Sequence, residues 1–195
     1  FMDLDNPLEL FKIWLSEAKK KEINDPNALS LATSSTTNEP SVRMILLKGL
    51  SEKGFVFYTN LSSPKSLDLK KNPKAAMCFH WKSMQRQVRV SGKISQVPDK
   101  EADIYFDSRS YESRIGAWAS DQSNIMKTRE EFLKKIEDFK KKYKDEKNVP
   151  RPDYWSGWCL NPSSVEFWLG DEFRIHERLR YNRILNVWKK EILYP

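Results

Sequence analysis

The run SVRMILLKG (41–49), the turn SEKG (51–54), FVFYTN (55–60), SSPKSLDLKKNP (62–73), AAMCFHW (75–81) and RQVRVSGKI (86–94) decides the fold. SVRMILLKG, FVFYTN and RQVRVSGKI mix apolar and β-branched residues between turn signals, so they read as strands. Arg43, Lys48, Lys65, Arg86 and Arg89 interrupt this apolar fabric where a plain core strand needs no charge. Tyr58, Thr59, Gln85 and Gln87 add hydrogen-bonding groups. A sheet carrying so many donors on short strands is suited to gripping an anion.

At 195 residues the chain is long enough for one domain with a sizeable core and short for two, so a single domain over 1–195 is expected. Lys and Arg number 34 against 27 acids, a formal charge of +7. That excess favours anionic partners without distinguishing a phosphate ester from nucleic acid or a membrane surface. Cys78 and Cys159 sit in apolar, strand-like runs without CxxC or CxxH spacing and read as buried thiols of a reducing compartment. No apolar run approaches the ~18 residues of a membrane span and no signal-peptide pattern opens the chain, so a soluble, cytoplasmic protein is expected. His80 and His176, with the scattered cysteines, give no zinc spacing, so no metal is expected. There is no GxSxG elbow, Walker loop or GxGxxG. KGFVF (53–57) brushes against an RNA-recognition signature, but Val56 stands where that motif needs Gly or Ala.

Asn6-Pro7-Leu8-Glu9 reads as an N-cap, a proline at the first helical position and an acid at N3. They open a helix over about 6–21 with Leu8, Phe11, Leu15 and Ala18 on one stripe. The barrel and its helical excursions are expected over 28–195, beginning with the strand ALSLATS (28–34). SPKSLDLKK (63–71) is a short helix capped by Ser62 or Ser63, with Lys65 in its first turn. The helix dipole disfavours a cation there, so Lys65 either is solvated or shares a bound anion with the free backbone N–H groups. A further helix starts at Pro98. Tyr105, Arg109 and Ser113 follow at i, i+4 and i+8 and share a face if that helix continues; otherwise Tyr105 packs and Arg109 makes a surface ion pair. Gly116 and the polar cluster after it then break the helical pattern within ESRIGAWASDQSN (112–124). Arg129 to Lys144 is helical, with Phe132, Ile136, Phe139 and Tyr143 opposite a solvated lysine face.

After the loop NVPRPD (148–153), the chain reads as an antiparallel meander of YWSGWCL (154–160), SSVEFWLG (163–170), EFRIHERLRYN (172–182) and NVWKKEILY (186–194). The fold is therefore mainly β with peripheral helices, a closed or nearly closed antiparallel barrel. In FRIHERLR (173–180), strict alternation puts Arg174, His176, Arg178 and Arg180 on one face. Only Glu172 and Glu177 lie nearby, so those cations need a bound anion or carboxylates from elsewhere in the fold. A histidine between arginines tends to be neutral and can then donate one hydrogen bond and accept another. Trp168, on the strand face of Glu166, is either core or a lid over an aromatic ring. Composition and spacing alone stop at a basic, aromatic-rich barrel for phosphorylated, ring-bearing small molecules.

Taken together, RMILLK (43–48), FYTN (57–60), RQV (86–88), Tyr105-Phe106, Ser108-Arg109, IGAW (115–118), Gln122-Ser123, VEFW (165–168) and RxHxR (174–178) closely resemble the pyridoxamine 5'-phosphate oxidase family. The match runs from about residue 25 to the final proline, in the family's order. The resemblance implies the FMN-binding split-barrel flavoprotein fold and a homodimer with FMN at the subunit interface, drawing on both chains. It implies oxidation of pyridoxine or pyridoxamine 5'-phosphate to pyridoxal 5'-phosphate, a step of vitamin B6 metabolism. Oxygen is the acceptor and hydrogen peroxide is released, with ammonia from the amine; no nucleic acid or membrane is involved. Carried over by motif, Arg43, Lys48, Tyr58, Thr59, Lys65, Gln87, Gln122, Ser123, Trp168 and Arg178 are the expected FMN set. Lys48, Tyr105, Arg109, Ser113, Arg174 and His176 are the expected substrate set. Arg174 is expected to steer the substrate's C4' carbon and His176 to orient the substrate, neither acting as an indispensable base. Pro64 stands where many members carry an arginine, which removes one bidentate phosphate donor. Arg43 and Lys48, five residues apart, face opposite ways on a regular strand, so both reach one ligand only by a bulge, a twist or contacts at different depths.

Overall fold

Between Pro40 and Ser51 the chain changes partners in mid-course, and this brings the sheet round on itself. The structure, a computed structural model, describes residue 1 and residues 3–195. Strands β1 (Ala28–Ser34), β2 (Pro40–Leu46), β3 (Gly49–Ser51), β4 (Gly54–Asn60), β5 (Lys74–Trp81), β6 (Arg86–Gln96) and β7 (Trp155–Leu169) lie in the order β2-β1-β5-β6-β7-β4-β3. The Leu47 N–H still bonds the Asn27 carbonyl on the β1 side, whereas the Lys48 N–H bonds the Val56 carbonyl on β4. The two ends of the strand order are thus one continuous run of chain, and the antiparallel sheet closes as a split barrel. The same switch breaks the alternation between Arg43 and Lys48. β8 (Glu177–Ile184) adds to β7 outside this circuit and β9 (Val187–Leu193) adds to β8.

Strand alternation fills the barrel. On β5, Ala75, Met77, Phe79 and Trp81 point inward and are buried, opposite Val88 and Val90 of β6. Helix α1 (Pro7–Lys21) covers one opening. Asn6 caps it through its Oδ1 on the Leu8 N–H, and Pro7 occupies the first turn. Its buried stripe runs through Leu8, Phe11 and Ala18 as the periodicity predicts, but also takes in Leu10 and Trp14, leaving Leu15 half-buried. Phe11 is fully buried, with ring centroids 4.9 Å from Phe55 and 4.8 Å from Phe79. The Arg86 guanidinium lies 4.5 Å above the Trp14 ring and pairs with Glu17, tying α1 to the mouth of the barrel. Arg86 is therefore an architectural cation and not an anion grip.

Three local expectations need correction. First, YWSGWCL and SSVEFWLG are one strand: β7 continues through Asn161-Pro162 without turning. Proline survives inside the sheet because the β6–β7 register shifts at Ser91/Gly92, where Pro162 lies opposite Gly92. A Cβ on Gly92 would come within 2.0 Å of the Asn161 carbonyl oxygen, so this close approach requires glycine. Second, the helix after Pro98 does not persist through Ser113. It ends as α3 (Asp99–Asp107), and Ser110 restarts the chain as α4 (Tyr111–Ala119), accepting a hydrogen bond from the Ser113 N–H. Gly116 lies inside α4; the break that the polar residues signal comes after Ala119. Third, FRIHERLR is not strand throughout, because Glu172–Arg174 form a 3-10 turn and β8 starts only at Glu177.

Helix α2 (Pro64–Lys71) begins after Ser63 with Pro64 at its first position, as expected. Helix α5 (Arg129–Lys142) has Ile136 and Phe139 half-buried and its lysines mostly toward solvent. Among the described residues no helix is long and apolar enough to cross a membrane. Both cysteines are free and half-buried.

The aromatic contacts of Phe11 predict a measurable asymmetry along α1. Phe11→Ala should lower the unfolding free energy by about 3–5 kcal/mol in urea titrations. Leu15→Ala, at a half-buried position, should cost much less; equal costs would contradict the placement of α1 over the barrel.

Candidate active site

A cavity of about 720 Å³ opens where the partner-switching run, β4, α2, α3 and α4 meet. Strand β4 brings Tyr58 and Thr59, and the switch at Leu47/Lys48 brings Lys48. The first turn of α2 supplies Lys65, and Gln122 comes from the loop after α4. Tyr105 lies near the end of α3, Arg109 in the link between helices, and Ser113 in the first turn of α4. Although one helical face does not carry all three, the break at Ser108–Ser110 still brings them to one wall. Lys48, Lys65 and Arg109 are the charged residues among those lining the cavity, and no carboxylate is among them.

Lys65 shows what such a wall does to a cation. Its Nζ donates to Thr59 Oγ1 at 3.2 Å, Ser63 Oγ at 3.1 Å and Gln122 Oε1 at 3.1 Å, all neutral acceptors. Burial, helped by the nearby positive charge of Arg43, pushes the ammonium pKa down to about 8. Arg43 lies beside the cavity, bonding Thr33 Oγ1, Ser41 Oγ and the Leu31 carbonyl. Ser63 precedes α2 but does not cap it: its hydroxyl donates to the Asn60 carbonyl at 2.7 Å. Pro64 has no N–H and the Ser66 and Leu67 N–H groups bond the Ser63 carbonyl, so the Lys65 ammonium is the main donor that this corner offers an anion.

The opposite wall is aromatic. Tyr58 and Tyr105 stack at 3.9 Å and 8°, and Trp155, at the start of β7, lies parallel to both. Gly157 permits this, since a Cβ there would fall 2.7 Å from the Tyr58 ring. Burial, reinforced by Glu101, pushes the Tyr58 hydroxyl up to about 12, so it stays a neutral donor. The Arg109 guanidinium sits 4.7 Å from the Trp155 ring and 5.6 Å from Phe106. Its Nη1 is buried without a hydrogen-bond partner, and desolvation lowers its pKa. The sequence offered no sign of Trp155 here, because its neighbours at 58, 105 and 109 are distant in the chain.

The remaining expected residues stand elsewhere. Gln87, Trp168 and Arg178 form one row across β6, β7 and β8, each directly opposite the next. His176 lies 4.6 Å from the Trp168 ring, and its Nδ1 accepts from the Asp171 N–H, which places a proton of the neutral ring on Nε2. Phe173 and Arg174 both adopt left-handed backbone angles, φ 55° and 64°, while Phe173 is 89% exposed. Two consecutive non-glycine residues in this region store strain. Arg174 and His176 therefore do not share a strand face with Arg178 and Arg180. Carboxylates from other strands offset those two: Glu166 accepts from Arg178 and Arg89, and Glu191 from Arg180. Burial alone would raise the Glu166 pKa, but the hydrogen bonds and charges of its two arginines outweigh this and hold it low. Ser123, at φ 69°, lines a neighbouring cleft of about 510 Å³ that shares Ser120 and Gln122 with the main cavity.

Residues 15–143 match the family model described as pyridoxamine 5'-phosphate oxidase, and residues 155–195 match that of the pyridoxine 5'-phosphate oxidase C-terminal dimerisation region. A pyridoxine/pyridoxamine 5'-phosphate oxidase of Pelagibacter ubique is 57% identical over 196 residues, covering 100% of this chain and 94% of the relative. PhzG from Burkholderia lata 383, solved in complex with tetrahydrophenazine-1-carboxylic acid, superposes with a TM-score of 0.93 at 30% identity, covering 99% and 94% of the two chains. A pyridoxamine 5'-phosphate oxidase-related, FMN binding protein from Nostoc punctiforme shares the fold, with a TM-score of 0.79 at 17% identity over the full length of both chains. On the family models and the full-length identity, the chain belongs to the pyridoxamine 5'-phosphate oxidase family.

Proposed function

We propose that the carboxylate-free cavity takes two phosphate groups, one from FMN and one from a phosphorylated B6 vitamer. The protein is a pyridoxine/pyridoxamine 5'-phosphate oxidase. Pyridoxamine 5'-phosphate, oxygen and water give pyridoxal 5'-phosphate, ammonia and hydrogen peroxide. The observation that carries the two-phosphate reading is the pair of half-buried cations, Lys65 and Arg109, with no carboxylate on either. A lysine desolvated to a pKa of about 8 among hydroxyl and amide oxygens is the environment a phosphate dianion would relieve, so these residues fit FMN. Lys65, Thr59, Gln122 and Arg43 would hold its phosphate. Lys48, Tyr105, Arg109 and Ser113 would hold the substrate's.

When bound, the flavin supplies the acceptor for hydride from C4' and the route for electrons to oxygen. The chain's own residues bind and orient. Arg174 remains protonated and can only donate, so it steers the C4' substituent. His176, with its Nε2–H free, donates a hydrogen bond that fixes the ring, and Trp168 backs it.

The Arg109 end and the His176 end of the site stand at opposite ends of β7. Trp155, under Arg109, and Trp168, under His176, belong to the same strand, separated by roughly 40 Å of contour at ~3.3 Å per residue. A vitamer is far shorter than that. In this reading the site draws on two copies of the chain, the second contributing the β6–β8 row and the 173–176 turn, and the ~40 Å of strand between the two ends favours it. The match of residues 155–195 to a dimerisation region supports a dimer.

Binding of FMN should follow the charge of Lys65. The phosphate binds the ammonium form, so affinity should be full below pH 8 and fall as the pH rises through about 8. Lys65→Met should weaken FMN binding about 10–100-fold at pH 7, measured by fluorescence quenching, and abolish that alkaline loss. A variant that keeps the wild-type pH profile would remove Lys65 from the phosphate site. For the second set, rapid mixing with pyridoxamine 5'-phosphate under nitrogen should show flavin bleaching slowed much more by Arg174→Ala than by His176→Ala, with FMN retained in both. Near-complete loss in the histidine variant with unchanged substrate affinity would instead make His176 the base.

A further inference from the structure

We infer that Trp155 is a positioning residue for substrate binding, acting through Arg109. This rests on the reading of Arg109 as the substrate-phosphate contact. The arginines near the sites are restrained in two different ways. Arg43, Arg89 and Arg178 are fixed through N–H groups taken up by hydroxyls, carbonyls or carboxylates, and Arg86, although it lies over the Trp14 ring with a buried, unpartnered Nε, is tied down by the Glu17 carboxylate. Arg109 is half-buried, yet none of its guanidinium N–H groups has a hydrogen-bond acceptor among the described residues, and its buried Nη1 is left over. What holds it is the π-face of Trp155, with Phe106 alongside.

That difference has a chemical consequence. A guanidinium attracted through its face to a ring keeps its donors, which lie in its plane, available for a bidentate contact with phosphate. One held by a carboxylate would have its donors occupied and its charge neutralised. Trp155 is itself fixed: it is 7% exposed, its ring meets Phe106 edge-on at 5.0 Å, and it runs parallel to Tyr105 and Tyr58. The platform is rigid, so Arg109 is presented in one place without any group competing for its hydrogen bonds.

The test uses the FMN-loaded enzyme and the equilibrium Kd of pyridoxal 5'-phosphate by calorimetry, alongside KM and kcat for pyridoxamine 5'-phosphate. Trp155→Leu, which keeps apolar bulk but removes the π-face, should raise Kd and KM about tenfold and change kcat little. Trp155→Phe should recover much of the loss. In an Arg109→Ala background, which should already bind weakly, Trp155→Leu should add almost nothing, because its effect runs through the missing guanidinium. If Arg109→Ala leaves Kd unchanged, the substrate-phosphate reading itself fails. If Arg109→Ala weakens binding but Trp155→Leu does not, or if the two losses add in full, the inference about Trp155 fails alone.

Discussion

Positive charge half-buried without a carboxylate is the constraint on which this structure depends. Desolvating a cation costs free energy, and folds ordinarily offset that cost with an acid. This chain does so for Arg178 and Arg89 through Glu166, for Arg180 through Glu191 and for Arg86 through Glu17. At Lys65 and Arg109 it does not. Lys65 is left among hydroxyl and amide oxygens and Arg109 on aromatic faces, and the depressed basicity of both records the uncompensated cost. On the proposed reading a phosphate-bearing ligand would supply what is missing, concentrating binding energy where the fold has withheld its own counter-charges.

The barrel places these cations. Because the run from Pro40 to Ser51 pairs first with β1 and then with β4, Lys48 turns toward the cavity instead of following the alternation that governs Arg43. Because α3 and α4 are two helices, Arg109 falls in a link that can reach over Trp155. Trp168 and His176 stand at the opposite end of β7 from Trp155, and the proposed two-chain site rests on that separation.

Local patterns carried much of this into the sequence. Strand β1, the capped start of α1 and the entry of Lys65 into the first turn of α2 follow from nearest neighbours, and all three stand as expected. Where the reading failed, distant contacts had decided. Asn161-Pro162 looks like a turn, but Gly92 on the neighbouring strand makes room for it in a bulge. Gly116 looks like a helix breaker, yet α4 is held by its Ser110 cap and by buried Ile115 and Ala119. Strict alternation across 173–180 was lost to a strained turn at Phe173 and Arg174. Trp155 and the double pairing of Glu166 were illegible for the same reason, since their partners lie elsewhere in the sequence. The family resemblance, not periodicity, linked Arg174 and His176 to the substrate.

The central claim is that one substrate is held by Arg109 of one subunit and Arg174 of the other. Subunit exchange between Arg109→Ala and Arg174→Ala homodimers tests it most directly, by oxidase activity of the mixture. If the residues come from different chains, each heterodimer contains one intact site and one doubly altered site. Random exchange should then restore about a quarter of wild-type activity from two impaired parents. If both residues served a site within one chain, every site in the mixture would carry one substitution, and the absence of recovery after verified exchange would contradict the account.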